Sequence, residues 1–123
     1  MSNRIVWVDI PVADLQRAIA FYSAVLAVQI QHDKGPGFEL GVFPHEGDSV
    51  GGCLYKPDDG NKPCGGGPLI YLDASGRLKD AVKAAGANGG KVVQDIHAIG
   101  PHGFRAVVMD SEGNRVALHA MTA

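Results

Sequence analysis

The chain has 123 residues, of which 46% are hydrophobic and 20% charged, and its formal net charge is −2. These values are typical of one globular domain, here residues 1–123, and they exclude an intrinsically disordered chain. The balanced charge also argues against nucleic acid or an anionic membrane surface as a partner. Glycine is enriched at 17 residues, so sharp turns between short elements are expected.

The start of the chain and its cysteines favour a soluble, cytoplasmic protein. Residues 1–4 lead directly into a strand-like pattern and lack the apolar core of a signal peptide. No apolar run approaches the ~18 residues that span a membrane. Cys53 and Cys64 fit neither a disulfide framework nor a zinc ribbon.

The first half of the chain predicts four strands and one helix. Ile5–Ile10 is rich in β-branched residues and stops at a proline, which indicates a strand. Asp14 is a candidate N-cap for an amphipathic helix whose apolar residues recur at helical spacing as far as Leu26. Three further strands are predicted between glycine breaks, at 28–32, 38–43 and 50–55.

The order recurs after a turn-rich linker at about 57–68. A strand at 69–73 precedes a helix that opens at Ser75 or Gly76 and ends at Gly86. Three more strands are predicted at 91–95, 104–110 and 115–120. The chain therefore contains two β-α-β-β-β repeats, at about 4–56 and 69–123, which indicates an internal duplication.

Alternation along the strands predicts an aliphatic face and a second face that is polar and aromatic. Trp7 and Asp9 fall on the second face of the first strand, as do Tyr71 on the fifth and His119 on the last. The aliphatic face suits packing under helices, and the second face suits a cupped sheet with a ligand-sized cleft. Arg105 lies on a strand that is apolar on both sides, so alternation leaves its direction open.

Two motifs resemble the vicinal oxygen chelate superfamily, also called the glyoxalase, bleomycin-resistance and dioxygenase family. They are Asp9–Leu15 leading into Ala18–Tyr22, and the closing segment Met109–His119. The resemblance covers essentially the whole chain. It implies an α+β fold, in which two βαβββ repeats form a cupped eight-stranded mixed sheet, and a likeness to proteins that often assemble as homodimers. Where that family commonly ends its first helix with glycine, this chain has Ala27.

The resemblance also implies four positions for metal ligands. Here they are occupied by Trp7, Cys53, Leu69 and Ala117. Three of these side chains cannot coordinate a metal, and one thiol alone does not hold a divalent ion. We therefore expect no metal and no cofactor.

The favoured function is the binding of a small, partly aromatic molecule in the cleft, and whether the protein is an enzyme stays open. The residues expected to contact the ligand are Trp7, Asp9, Cys53, Tyr55, Tyr71, Arg105 and His119. The alternative is a lyase or isomerase related to lactoylglutathione lyase. It would use Asp9 and His119 as its candidate catalytic pair, with Asp9 orienting His119 for acid–base chemistry, or a relocated divalent metal.

Overall fold

The chain folds as two successive β-α-β-β-β units, and the computed structural model describes residues 3–123. The first unit consists of β1 (Trp7–Pro11), α1 (Leu15–Leu26), β2 (Gln31–Gly35), β3 (Phe38–Val42) and β4 (Gly51–Tyr55). The second consists of β5 (Ile70–Asp73), α2 (Leu78–Ala87), β6 (Lys91–Ala98), β7 (Phe104–Met109) and β8 (Arg115–Ala120), with a short 3₁₀ turn at Gly100–His102. The duplicated α+β arrangement is thereby confirmed.

The eight strands are hydrogen-bonded as two four-stranded mixed sheets. Their orders are β1-β4-β3-β2 and β5-β8-β7-β6. In each sheet the first strand of the repeat pairs in parallel with the last, and the other neighbours are antiparallel. As a result, β1 and β5 each lie at a sheet edge with one side unpaired.

The two helices pack on each other and cover one face of the sheets. Asp14 caps α1, because its carboxylate accepts a hydrogen bond from the Arg17 N–H at 3.1 Å. Ala27 ends this helix in the left-handed region with φ of 53°, at the position where glycine would avoid a steric cost. The largest fully buried side chains come from both repeats: Tyr22, Phe21, Leu54, Leu118, Val12, Val25, Val108 and Val116. Within residues 3–123, no helix has the length and apolar character needed to cross a bilayer.

Several predicted boundaries differ from the structure by one or more residues: β1, for example, is shifted to Trp7–Pro11, and α2 continues through Gly86 to Ala87. Three further differences are larger or have a local cause. The strand β2 begins at Gln31 rather than at residue 28, since the residues before it pack into or beside the core without pairing. The helix α2 begins at Leu78, because the Ser75 side chain bonds to Asp73 and Gly76 has φ of +77°. The third difference is at β6, which continues to Ala98 through two irregularities in its pairing with β7.

A buried carboxylate joins the two repeats. Asp110 is 3% exposed, and its Oδ2 accepts hydrogen bonds from the Tyr22 hydroxyl at 2.5 Å and the Asn114 amide at 3.0 Å. Its Oδ1 accepts the backbone N–H groups of Glu112 and Asn114, each at 2.8 Å. The Asn114 amide also donates to the Pro11 carbonyl at 2.8 Å. Burial, together with the Asp110 charge, raises the pKa of Tyr22 well above its usual range, so its hydroxyl remains a donor.

A second carboxylate makes a similar connection at the surface end of α1. The Glu112 carboxylate accepts two hydrogen bonds from the Arg17 guanidinium, at 2.7 and 2.9 Å. It also accepts the backbone N–H groups of Ala13 and Asp14, both at 2.9 Å, and the Ser111 hydroxyl at 2.8 Å. Burial alone would raise the pKa of Glu112, but these donors outweigh burial and lower it from 4.5 to about 2.

We expect the free energy of unfolding to fall as the pH drops from 5 toward 2, with Glu112 as one cause. A folded-state pKa below the unfolded value stabilises the protein above the unfolded pKa, and this stabilisation is lost as the pH falls through the folded value. Urea unfolding at a series of pH values should therefore show a shallower acid slope for Glu112→Gln than for the wild type. The matched control is Glu46→Gln, at an exposed carboxylate, and an unchanged slope in Glu112→Gln would contradict the assignment.

Candidate functional site

A cavity of about 1180 Å³ lies between the edge strands of the two sheets. Every residue of β1 and every residue of β5 lines it. The segment predicted as a linker forms another part of the wall, through Asn61, Lys62, Cys64, Gly66 and Pro68. The segment 57–68 is thus part of the candidate site as well as a connection between repeats.

Two aromatic side chains remain exposed at this cavity, one from each repeat. Trp7 on β1 is 42% exposed and Tyr71 on β5 is 47% exposed. Apolar rings exposed in a concave site are typical of small-molecule binding surfaces. The predicted direction of both side chains, away from the aliphatic face, agrees with their exposure.

Asp9 organises the part of the site that belongs to the first sheet. Its Oδ1 accepts the Trp7 indole N–H at 2.7 Å and the Cys53 thiol at 3.2 Å. Parallel pairing places Asp9 directly opposite Cys53 and Trp7 opposite Gly51. A Cβ at Gly51 would lie 2.9 Å from the Trp7 ring and 2.7 Å from His45, so glycine leaves the space that this ring occupies.

Cys53 is buried behind Asp9 and is a poor nucleophile. Burial raises the pKa of its thiol to about 11, and the hydrogen bond to Asp9 acts in the same direction. The protonated thiol is the form that donates to the carboxylate. Cys53 therefore positions Asp9, since the reactive thiolate is scarce at neutral pH.

Arg105 lies on β7, in the interior of the second sheet. Strand pairing places it opposite His97 on β6 and opposite His119 on β8, which fixes the direction that alternation had left open. Its Nε donates to His97 Nε2 at 3.0 Å, and its Nη1 donates to the Tyr71 hydroxyl at 2.5 Å. The guanidinium carbon lies 5.9 Å from the centre of the Tyr71 ring.

His119 and Asp73 are held by partners close to them in the second repeat. The Nε2 of His119 lies 2.6 Å from the His102 carbonyl, so this nitrogen carries the hydrogen. The Asp73 carboxylate accepts the Ser75 hydroxyl at 2.5 Å and the Ser75 N–H at 3.0 Å. These two hydrogen bonds lower the pKa of Asp73, and the neighbouring His119 adds to the effect.

The structure brings only part of the predicted set together. Trp7, Asp9 and Tyr71 line the cavity, and Cys53 and Arg105 contact members of that group. His119 packs edge-on against Tyr71, with ring centroids 6.0 Å apart, but it makes no hydrogen bond to Asp9 among the described residues. Tyr55 contacts none of these predicted residues through a hydrogen bond; its hydroxyl accepts one from Asn61, another residue of the cavity wall, at 2.8 Å.

The sequence prediction missed Asp73 and Lys62, which also line the cavity. Asp73 could have been found from the sequence, because it lies two residues after Tyr71 on β5 and its side chain therefore points to the same face. Lys62 lies in the segment without periodicity, which carries no signal for its position.

Comparisons with known proteins agree with this geometry. The family model described as the Glyoxalase/Bleomycin resistance protein/Dioxygenase superfamily matches residues 4–118. A glyoxylase-like domain-containing protein from Didymella fabae is 29% identical over an alignment of 125 positions, which covers 96% of this chain and 94% of that protein.

Solved structures show the same fold at low sequence identity. A glyoxalase/bleomycin resistance protein from Albidiferax ferrireducens has a TM-score of 0.74 at 18% identity, covering 96% of this chain and 98% of that one. A superfamily member from Sphaerobacter thermophilus has a TM-score of 0.72 at 21% identity, with coverages of 96% and 97%. The fosfomycin resistance protein FosX from Listeria monocytogenes has a TM-score of 0.68 at 14% identity, with coverages of 98% and 94%.

We expect the two cysteines to differ sharply in their reactivity toward a thiol reagent. In the native protein Cys64, which is exposed, should react with DTNB, whereas the buried and protonated Cys53 should react only after unfolding. The measurement is the thiol count of the native and urea-unfolded protein. Cys64→Ser should lose the native reaction and Cys53→Ala should keep it. A fast native reaction in Cys64→Ser would show that Cys53 is accessible.

Proposed function

Because the chain belongs to the Glyoxalase/Bleomycin resistance protein/Dioxygenase superfamily, we propose that it binds a small, partly aromatic molecule in the cavity between β1 and β5. The observation that carries the proposal is the pair of exposed aromatic rings, Trp7 and Tyr71, at one cavity. A volume of about 1180 Å³ accommodates a ligand of ordinary metabolite or drug size.

The hydrogen bonds of the two aromatic side chains support a stacking role. The Trp7 indole N–H donates to Asp9, and the Tyr71 hydroxyl accepts a hydrogen bond from Arg105. Their polar groups thus have protein partners, and the rings remain for contact with a ligand. The Oδ2 of Asp9 accepts no hydrogen bond within residues 3–123, so it is the natural acceptor for a ligand N–H or O–H group.

We propose that this ligand binds without the metal of the chelating members of the superfamily. Trp7, Leu69 and Ala117 offer no coordinating atom at three of the four corresponding positions, and the thiol at the fourth is protonated. Among the residues that the structure describes, no three His, Cys, Asp or Glu side chains are grouped to hold an ion. The residues present therefore do not fit such a centre.

The alternative lyase or isomerase activity has less support from the contacts. Asp9 bonds to Trp7 and Cys53 on the first sheet, whereas His119 bonds to the 102 carbonyl on the second. In the predicted pair Asp9 would orient His119 through a hydrogen bond, and no such bond forms among the described residues.

We also propose that the protein forms a homodimer, in which the exposed apolar side chains of Ile5, Val6 and Val50 would be covered by the second subunit.

We expect a screen of aromatic metabolites and antibiotics to find ligands that raise the melting temperature. At a ligand concentration 100 times Kd, linkage stabilises the native state by about 2.7 kcal/mol. Trp7 is the only tryptophan in the chain, so the quenching of its fluorescence reports binding at the cavity. Tyr71→Ala should weaken binding roughly tenfold through the loss of stacking.

The matched control for this screen is Phe38→Ala. Phe38 is also a largely exposed aromatic residue, at 50%, but it lies outside the residues lining the cavity. Its substitution should leave the affinity unchanged. Equal losses in Phe38→Ala and Tyr71→Ala, or stabilisation that persists in Trp7→Ala, would place binding elsewhere.

We expect the purified protein to retain only substoichiometric metal after incubation with Ni²⁺, Zn²⁺, Mn²⁺ and Fe²⁺ and removal of the excess. The reason is the shortage of coordinating side chains described above. Mass-spectrometric metal analysis of the desalted protein checks this outcome. One metal ion per chain, together with turnover of the methylglyoxal–glutathione adduct, would contradict metal-free binding and support the lyase.

A further inference from the structure

We propose that Arg105 forms an anion subsite beside the cavity, so that the molecule bound there carries an oxyanion, most simply a carboxylate on an aromatic ring. This inference rests on the proposed function, because it specifies the charge of the ligand that the cavity takes. It is carried by the partners of Arg105 and by its contact with Tyr71.

The charge of Arg105 has no acidic partner. Within residues 3–123, no carboxylate lies within 4.0 Å of its guanidinium. Asp73, on the edge strand β5 of the same sheet, has its carboxylate engaged by Ser75. Arg17, by contrast, makes a two-point contact with Glu112. Arg105 is half-buried, and a cation in that position favours a counter-ion.

The groups that do contact Arg105 are neutral acceptors. The Nδ1 of His97 lies 2.8 Å from the Asp95 carbonyl and therefore carries the hydrogen, which leaves Nε2 free to accept from Arg105. The second acceptor is the Tyr71 hydroxyl. Two of the five guanidinium N–H groups are used in this way, and the others have no partner among the described residues. They can form the two-point contact that a carboxylate prefers.

The subsite adjoins the cavity through Tyr71. This residue lines the cavity, and its hydroxyl lies 2.5 Å from Arg105 Nη1. An aromatic ring that stacks on Tyr71 can therefore direct an anionic substituent toward the guanidinium. Trp7, on the other edge strand, would contact the apolar part of the same ligand.

The first experiment compares benzoate with benzamide, which have similar shapes but different charges. Trp7 fluorescence titrations should show that the wild type binds benzoate at least tenfold more tightly than benzamide. Arg105→Gln should weaken benzoate binding by a much larger factor than benzamide binding and so remove this preference, and Arg105→Lys should restore part of it. Lys83→Gln, at an exposed cation on α2, is the matched control and should behave like the wild type.

The second experiment separates the subsite from the cavity. Acetate and inorganic phosphate are titrated at constant ionic strength while NMR follows the side-chain Nε–H resonance of Arg105. A saturable shift with acetate supports a carboxylate subsite. A saturable shift with phosphate alone supports an anion subsite but identifies its ligand group as a phosphate. The absence of any saturable shift with either anion overturns the inference.

The two proposals fail in different ways. If benzamide and benzoate bind with equal affinity in the Trp7 fluorescence titrations, the anion subsite is wrong and the cavity proposal stands. If neither aromatic probe binds while acetate shifts the Arg105 resonance, the aromatic-ligand proposal is wrong and the anion subsite stands. If Arg105→Gln weakens both probes equally, Arg105 has only a structural role and the inference is overturned.

Discussion

The arrangement of this protein depends on the buried carboxylate of Asp110. Removing an ionised carboxylate from water costs several kcal/mol unless hydrogen-bond donors surround it. Here the donors come from both repeats: the Tyr22 hydroxyl from α1, and the Asn114 amide with two backbone N–H groups from the turn between β7 and β8. The Asn114 amide also holds the carbonyl of Pro11 at the end of β1. Satisfying one charge thus fixes the first repeat against the second.

The candidate site lies between the two repeats that this network joins. Each sheet has an edge strand, β1 or β5, with one side unpaired, and together these two strands line the cavity over their whole length. The aliphatic residues of these strands pack against the core on one face, whereas Trp7 and Tyr71 stay exposed at the cavity. The network between Asp110 and Asn114 stabilises the fold and ties the end of β1 to the second repeat.

Local features could be predicted from the sequence, and relations between the two sheets could not. The cap at Asp14 depends on neighbouring residues and is confirmed. The expectation that Asp9 and His119 meet rested on alternation, which assigns a face within one sheet but not the position of a second sheet. The direction of Arg105 needed the pairing of β7 with its neighbours, and the wall formed by 57–68 lacks any periodic signal.

Asp9 on the first sheet and Arg105 on the second carry opposite charges, and neither has an ionic partner among the described residues. On the first, the Asp9 carboxylate accepts only from an indole and a thiol, which are neutral donors. On the second, the Arg105 guanidinium donates only to an imidazole and a phenol, which are neutral acceptors. The two side chains form no ion pair in the described structure, because the fold places them on separate sheets. Under the two proposals above, a ligand with an anionic end and a hydrogen-bond donor would be oriented by these opposite charges, which would tie specificity to the placement of the two side chains on separate sheets.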